Sequence, residues 1–269
     1  MMTITENEPA NWSEILPVPR VDGHKYDRGH ALIFGAPLLT GATRLAASAC
    51  SRMGAGLVTV HAGEKADIYR CTLPADIMVT EADPANLRKV TGVLAGPGGI
   101  DPDQQRVIFA NPWNGVRVFD ADCLPRQDDF QLIDQRCILT PHAGEFCRMF
   151  PDLADNLKVS REACAAEAAK RCGAIIVLKG QQSIIAEPSG AIVVNRHASP
   201  YLAKAGTGDV LAGMITGLVT QGMASFEAAC AAVWMHGDAG RRIGAGLVAG
   251  DIEGVLPALL KDLLKTRAD

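Results

Sequence analysis

The sequence predicts an α/β protein with a mostly parallel central sheet, helices on both of its faces and an antiparallel hairpin at one edge. Three observations predict this fold. Short β-branched or aliphatic runs alternate with helix-length segments along the chain, the order of repeated βαβ units. Most of the runs are followed within two residues by Gly, Pro or Asp, the residue types expected where such sheets place ligands at the carboxyl ends of their strands. The composition, 48% hydrophobic, 21% charged and 5% aromatic over 269 residues, is that of a packed globular chain and excludes disordered and fibrous classes. A chain of this length buries about three quarters of its unfolded surface in one core. The expected organisation is therefore an irregular N-terminal arm over residues 1–25 and a single domain over residues 26–269.

The runs that read as strands are Ala31–Phe34, Leu57–His61, Ile77–Val79, Val93–Ala95, Val116–Phe119, Ile138–Thr140 and Ile175–Leu178. Ser183–Ala186 and Ala191–Val194 follow, and the EPSG turn signal between them predicts the antiparallel edge hairpin. Helices are expected at 41–53, 104–110, 144–150, 160–171, 208–221, 225–240 and 252–265. Ser160 with Glu162, and Ser225 with Glu227, place a capping hydroxyl and an early carboxylate where free N–H groups favour them.

Charge and cysteine usage narrow the function classes. The net charge is −4 with no lysine or arginine block, so no nucleic-acid partner is expected. Eight cysteines without a CxxC pair read as reduced, buried thiols in a reducing compartment. The start, MMTITENEPANW, is acidic and lacks an apolar core, so it does not read as a signal peptide. The apolar stretch Val210–Val219 is about half the roughly 20 residues that a bilayer requires. A cytoplasmic protein with no membrane partner is expected.

Four segments carry chemistry. In AKAGTGDVLAG, Ala203–Gly213, a glycine-bearing turn opens an apolar helix, and the backbone N–H groups of Ala205, Gly206, Thr207 and Gly208 can converge on an anion at the helix's positive end. Asp209 then reads either as a first-turn cap or as a base beside bound phosphate, kept ionised by that helix terminus. In CILTPHAGEF, Cys137–Phe146, His142 and Glu145 share one helix face: Glu145 can hold a hydrated Mg²⁺ and His142 a substrate group, or the two satisfy a turn and a helix terminus. LAGPGG, Leu94–Gly99, lets a ligand approach the backbone closely, and Asp120 of VFDAD reads as a turn residue or as an Mg²⁺ or hydroxyl ligand. VLKGQQSII, Val177–Ile185, delivers Lys179 and Gly180 to the end of a buried strand, where Lys179 can contact phosphate and Ser183 a nucleotide.

In this order the segments resemble the NAD(P)H-hydrate dehydratases of the ribokinase-like superfamily. The match runs from KYDRGHALIFGA at Lys25 to GLVAGDIEGVLPALL at Leu260 and includes GATRLAASACSRMGAGLVTV, GPG, DAD, TPHAGE, LKGQQS, AGTGDVLAG and HGDAG. The resemblance implies a three-layer α/β/α fold and the repair of the S epimer of hydrated NADH or NADPH, with ADP or ATP driving removal of the 6-hydroxyl. It implies Asp209 as the catalytic base, an anion hole at Ala205–Gly208, and substrate contacts at Ala42, Gly98, His142 and Asp209. It also implies nucleotide contacts at Lys179, Gly180, Gln181, Gln182, Ser183 and Gly208, with Mg²⁺ near Glu145 and Asp120. A homotetramer is implied, and an NAD(P)H-hydrate epimerase on a separate chain, since this sequence begins almost directly at the dehydratase half.

The chain departs from the family pattern at Ala205, where glycine is usual, at Ser183, where threonine is usual, at GPGGI, and in HASPYLAK, His197–Lys204. Lys204 adds a cation close to the phosphate loop. Two further readings use the same residues: a small-molecule kinase resembling hydroxyethylthiazole kinase, and a nucleotide-binding member without catalysis.

Overall fold

The computed structural model describes residues 3–110 and 113–265. Residues 1–2 of the expected arm, and 111–112 and 266–269 of the expected domain, lie outside the described residues. The sheet is built from β1 (Thr3–Glu6), β2 (His30–Phe34), β3 (Leu57–His61), β4 (Met78–Thr80), β5 (Gly92–Ala95), β6 (Val116–Phe119), β7 (Cys137–Leu139), β8 (Ile175–Leu178), β9 (Ser183–Ala186) and β10 (Ala191–Asn195). Its spatial order is β1-β10-β9-β8-β7-β6-β5-β2-β3-β4, and β9 alone among the described strands pairs antiparallel with its neighbours. The helices are α1 (Thr40–Arg52), α2 (Ala66–Thr72), α3 (Pro102–Ala110), α4 (Ala143–Met149), α5 (Arg161–Cys172), α6 (Thr207–Thr220), α7 (Ser225–Ile243) and α8 (Ala249–Lys265).

The strands inside the two edges, β2, β3 and β5 to β10, are largely buried on both faces because helices cover both, and their side chains divide with the twofold period of a strand. Ala31 and Ile33 of β2 join the core packed by α1, α6, α7 and α8, whereas Leu32 and Phe34 join the opposite core with residues of α3, α4 and α5. The apolar stretch Val210–Val219 is the body of α6 and is buried throughout. Its partner α1 comes close because Gly213 has no side chain: a Cβ there would lie 2.1 Å from the Ala46 carbonyl oxygen.

Two expectations are corrected. The arm is not irregular throughout, since Thr3–Glu6 forms β1, parallel to β10. This strand is held by backbone pairing to an edge and leaves Ile4 exposed, so no hydrophobic alternation announces it. The arm is pinned further by Trp12, which is buried and donates its indole N–H to Asn7 Oδ1 at 3.1 Å. The β9–β10 hairpin is consequently one strand in from the edge that β1 forms. The short helix α2 was also unexpected; seven residues are too few to show a helical period. No helix among the described residues is long and apolar enough to cross a membrane. All eight cysteines are free thiols, and six of them are buried.

Candidate active site

The loops at the carboxyl ends of the strands converge on the start of α6. Gly206 caps this helix with φ +91° and no side-chain cap, a left-handed conformation suited to glycine. The Thr207 hydroxyl lies 2.8 Å from the Leu202 carbonyl and 2.9 Å from that of Lys204, which fixes the turn. Thr207 N reaches Lys204 O at 3.4 Å, whereas the N–H groups of Ala205, Gly206, Gly208 and Asp209 have no acceptor among the described residues. Unsatisfied N–H groups at a helix N-terminus form an anion site. The structure thus leaves three of the four amides expected in the anion hole open and adds that of Asp209. Ala205 is not among the positive-φ residues, so alanine replaces the usual glycine here without backbone strain.

Three neighbouring strand ends supply the charges beside this loop. Asp120 follows β6, Thr140 follows β7 and Lys179 follows β8, and these strands are adjacent in the sheet. Lys179 Nζ donates to Asp120 Oδ1 at 2.7 Å, and the Thr140 hydroxyl donates to the same oxygen at 2.7 Å. The Lys179 amine lies 3.4 Å from where a Cβ on Gly208 would stand, so the cation faces the start of α6 directly.

Asp209 is raised from 3.8 to about 6, first by burial, then by the carboxylates of Asp120 and Glu145, against a lowering by Lys179. This corrects the expectation that the helix terminus simply holds it ionised. The group is a carboxylate at neutral pH yet basic enough to accept a proton, the condition for a general base. Activity that depends on ionised Asp209 is expected to rise with pH through about 6 and to level off above it. A pH profile of kcat flat between 4 and 8 would contradict this, since an unshifted aspartate titrates at about 4.

His142 and Glu145 realise the capping geometry. His142 Nδ1 accepts from Gly144 N at 3.0 Å and Glu145 N at 3.2 Å, while Glu145 Oε2 accepts from His142 N at 2.7 Å. With Nδ1 accepting, the neutral ring carries its proton on Nε2, 3.4 Å from Glu145 Oε1. His142 is 60% exposed at the side chain, free to meet a ligand. No group of three or more His, Cys, Asp or Glu among the described residues can cage a metal. Asp120 already binds Lys179 and Thr140, and Glu145 already binds its own helix terminus. This donor set fits Mg²⁺ that keeps most of its waters and is held chiefly by phosphate oxygens.

A cleft of about 750 Å³ opens from the phosphate loop and is lined by Lys179–Ser183, Gly208 and His142, with Leu202, Leu211 and Val233 on an apolar wall. All the residues expected to contact nucleotide therefore face one space. The Ser183 hydroxyl meets Gly180 O and Gly180 N, both at 3.4 Å, and closes the turn. Arg161 was missed in the sequence: its Nη2 donates to the carbonyls of Leu178 and Lys179 at 3.3 and 3.1 Å and fixes the strand end that presents Lys179. His236 of HGDAG was left without a role. It is buried against the cleft, its Nε2 has no partner among the described residues, and burial pushes it down to about 4, so it is neutral.

Ala42 and Gly98 meet each other. A Cβ on Gly98 would lie 2.9 Å from Ala42 Cβ and 2.4 Å from Leu39 O, so the GPG turn packs directly on the start of α1. Thr43, also missed, joins them by accepting from Ala36 N at 2.9 Å and donating to Pro97 O at 3.2 Å.

Fold and site together define an α/β protein of ribokinase-like fold with open amides at a helix terminus and an adjacent buried acid. The sequence profile described as NAD(P)H-hydrate dehydratase matches residues 30–262, and the chain belongs to this family. It is 36% identical over 254 residues to the bifunctional NAD(P)H-hydrate repair enzyme of Methanopyrus kandleri, covering 89% of this chain and 50% of that protein. It is 34% identical over 252 residues to the ADP-dependent (S)-NAD(P)H-hydrate dehydratase of Neisseria meningitidis serogroup B, covering 86% and 84%. The chain thus spans about half the length of the bifunctional relative and most of the length of the second. The crystal structure of the ADP/ATP-dependent NAD(P)H-hydrate dehydratase from Bacillus subtilis, co-crystallized with ATP/Mg²⁺, superposes with a TM-score of 0.85 at 28% identity, covering 98% of this chain and 100% of that one.

Proposed function

We propose that the chain dehydrates the S epimer of hydrated NADH or NADPH, using ADP or ATP as the phosphate donor. The observation that carries this reading is Asp209, raised to about 6 in the first turn of a helix with open amides, next to Gly208, which lines the same cleft as Lys179. Asp209 takes the proton of the 6-hydroxyl as that oxygen attacks the terminal phosphate, and the nucleotide leaves one phosphate shorter. The open amides of Ala205, Gly206, Gly208 and Asp209 hold the charge that builds on the transferred group, and Lys179 holds the donor's phosphates. The phosphate ester is a better leaving group than hydroxide. Electron release from the ring nitrogen expels it, and loss of a proton from the adjacent ring carbon restores the dihydronicotinamide. Glu145 and Asp120 would hold Mg²⁺ through its waters, and the ion would neutralise phosphate charge there.

In the same reading the dinucleotide lies against Ala42, Gly98 and His142, and the nucleotide lies along Lys179–Ser183 and Gly208. The working form is a homotetramer in the cytoplasm, and an NAD(P)H-hydrate epimerase activity interconverts the two epimers. The family match and the names of the relatives above support the hydrated cofactor, the nucleotide and the epimerase in this reading.

His142 tests the substrate side. His142→Ala is expected to raise the KM for the hydrated cofactor about tenfold, the worth of one good hydrogen bond, with kcat little changed. His142→Asn keeps an N-cap acceptor, so the same rise there separates ligand contact from helix capping. Steady-state kinetics of both variants check it, and an unchanged KM in His142→Ala leaves the residue as a cap only. The whole reading is tested by ADP- or ATP-driven recovery of NADPH from its hydrate.

A further inference from the structure

The motif KYDRGH has no part in this chemistry and lies at the opposite end of the sheet. Lys25–Arg28 forms a 3-10 turn that feeds the amino end of β2, whereas the catalytic loops leave the strands' carboxyl ends. Beside the turn is a cleft of about 470 Å³, bounded by Pro17–Arg20, by Ala55 and Gly56 ahead of β3, and by Gln221 at the end of α6. The fourteen residues of α6, at about 1.5 Å each, put this cleft roughly 20 Å from the phosphate loop.

The charges in the cleft are unequally satisfied. Arg20 is forked onto Asp22 at 3.0 and 2.7 Å, and Asp27 Oδ2 accepts from His24 N at 3.0 Å. Arg28 has no such partner: its Nε is buried without an acceptor, and its side chain makes no hydrogen bond or ion pair among the described residues. Lys25 has no carboxylate either; its amine lies 5.5 Å from the centre of the Tyr26 ring. A buried polar group is normally paired, and a partly buried guanidinium with no acceptor calls for one.

The turn that carries these cations is rigidly placed. Gly56 N donates to Arg28 O at 3.0 Å, and a Cβ on Gly56 would lie 1.8 Å from Lys25 O, so backbone packs on backbone. On its other side, a Cβ on Gly29 would lie 1.9 Å from Thr220 O, the last residue of α6. Arg28 is therefore held at the mouth of a formed cleft rather than on a free loop.

We propose that this cleft is a second, non-catalytic anion site that binds a phosphorylated small molecule. Arg28 and Lys25 hold the phosphate, and the carbon skeleton lies against Pro17, Val18 and Pro19. A guanidinium fork matches the oxygens of a phosphate, and the apolar wall favours a phosphomonoester over a bare inorganic anion. The inference is independent of the dehydratase reading.

The test is isothermal titration of the full chain with phenyl phosphate, comparing wild type with Arg28→Gln and Lys25→Gln. Wild type is expected to show a set of sites at one per chain that each variant binds about tenfold more weakly. Any binding at the catalytic loop stays the same in all three proteins. Nucleotide-driven turnover and thermal midpoint, measured on the same samples, show that the variants are folded and separate this result from a failure of the proposed reaction. Arg28→Lys, which keeps the charge but loses the fork, is expected to bind with intermediate affinity. Equal phenyl phosphate binding by wild type, Arg28→Gln and Lys25→Gln, or no saturable binding by wild type, overturns the proposal.

Discussion

Asp209→Asn is expected to lower kcat by about 10²–10⁴-fold, the contribution of a positioned general base, while nucleotide affinity changes only a few fold. Asparagine has nearly the same shape and leaves the open amides of the α6 terminus in place, so the phosphate site survives the change. The variant is also expected to be more stable than the wild type at neutral pH. The sign follows from the direction of the shift: in the folded chain Asp209 is raised from 3.8 to about 6, so the fold favours its neutral form. The stabilisation this gives is fully present below pH 3.8 and is lost as pH rises through about 6. Above that point the wild type holds a disfavoured carboxylate among Asp120 and Glu145, and Asn removes it for a gain of about 1–3 kcal/mol. Denaturant unfolding of both proteins at pH 5 and pH 8 measures the difference, which should grow with pH. An active Asn variant removes Asp209 from the mechanism, and a variant less stable at pH 8 contradicts the electrostatic description of the site.

The second large effect is expected at Lys179. Its side chain is 19% exposed and its amine pairs with Asp120, whose side chain is 3% exposed, so Lys179→Ala leaves a buried carboxylate unpaired. Breaking one partner of a buried pair costs about 3–5 kcal/mol. Adding Asp120→Asn to that background removes the stranded charge, and much of the lost stability should return. Nucleotide binding should not return with it, because the cation that faces Gly208 is still missing; a KM for nucleotide at least about tenfold higher is expected in both variants. Lys179 also lowers Asp209, so its removal moves the acid limb of the pH profile to higher pH. Unfolding curves and pH profiles of the two variants check each part. Full nucleotide affinity in the double variant would make Lys179 purely structural.

The pairing of Lys179 with Asp120 also shows where reading the sequence stops. Each residue was visible as the polar end of an apolar run, because strand ends are marked by a change of composition over one or two positions. That Lys179 reaches across β7 to Asp120 depends on the order β8-β7-β6, a tertiary fact, and so Asp120 was read as a turn residue or as an Mg²⁺ or hydroxyl ligand. Strands β2, β3 and β5 to β10 were legible because burial imposes a pattern on them, and β4 as a short aliphatic run, although some ends moved by a residue: Ile77–Val79 became Met78–Thr80, and Ile138–Thr140 became Cys137–Leu139. The edge strand β1 is held by backbone hydrogen bonds, which any residue but proline supplies, and left no such mark. Arg161 was hidden for a related reason. Its contacts are with the carbonyls of Leu178 and Lys179, and backbone acceptors have no sequence signature. GTGD and TPHAGE were legible in residue type and spacing, whereas the pKa of Asp209 was not, since burial and two distant carboxylates set it.

The most direct test is to incubate the purified chain with (S)-NADPH hydrate and Mg²⁺, adding ADP or ATP separately, and to follow reduced-nicotinamide absorbance together with released phosphate. The account predicts recovery of NADPH with at least one nucleotide, one phosphate released for each NADPH restored, and loss of both signals in Asp209→Asn. Nucleotide binding without recovery of NADPH, or recovery that persists in the Asn variant, would contradict it.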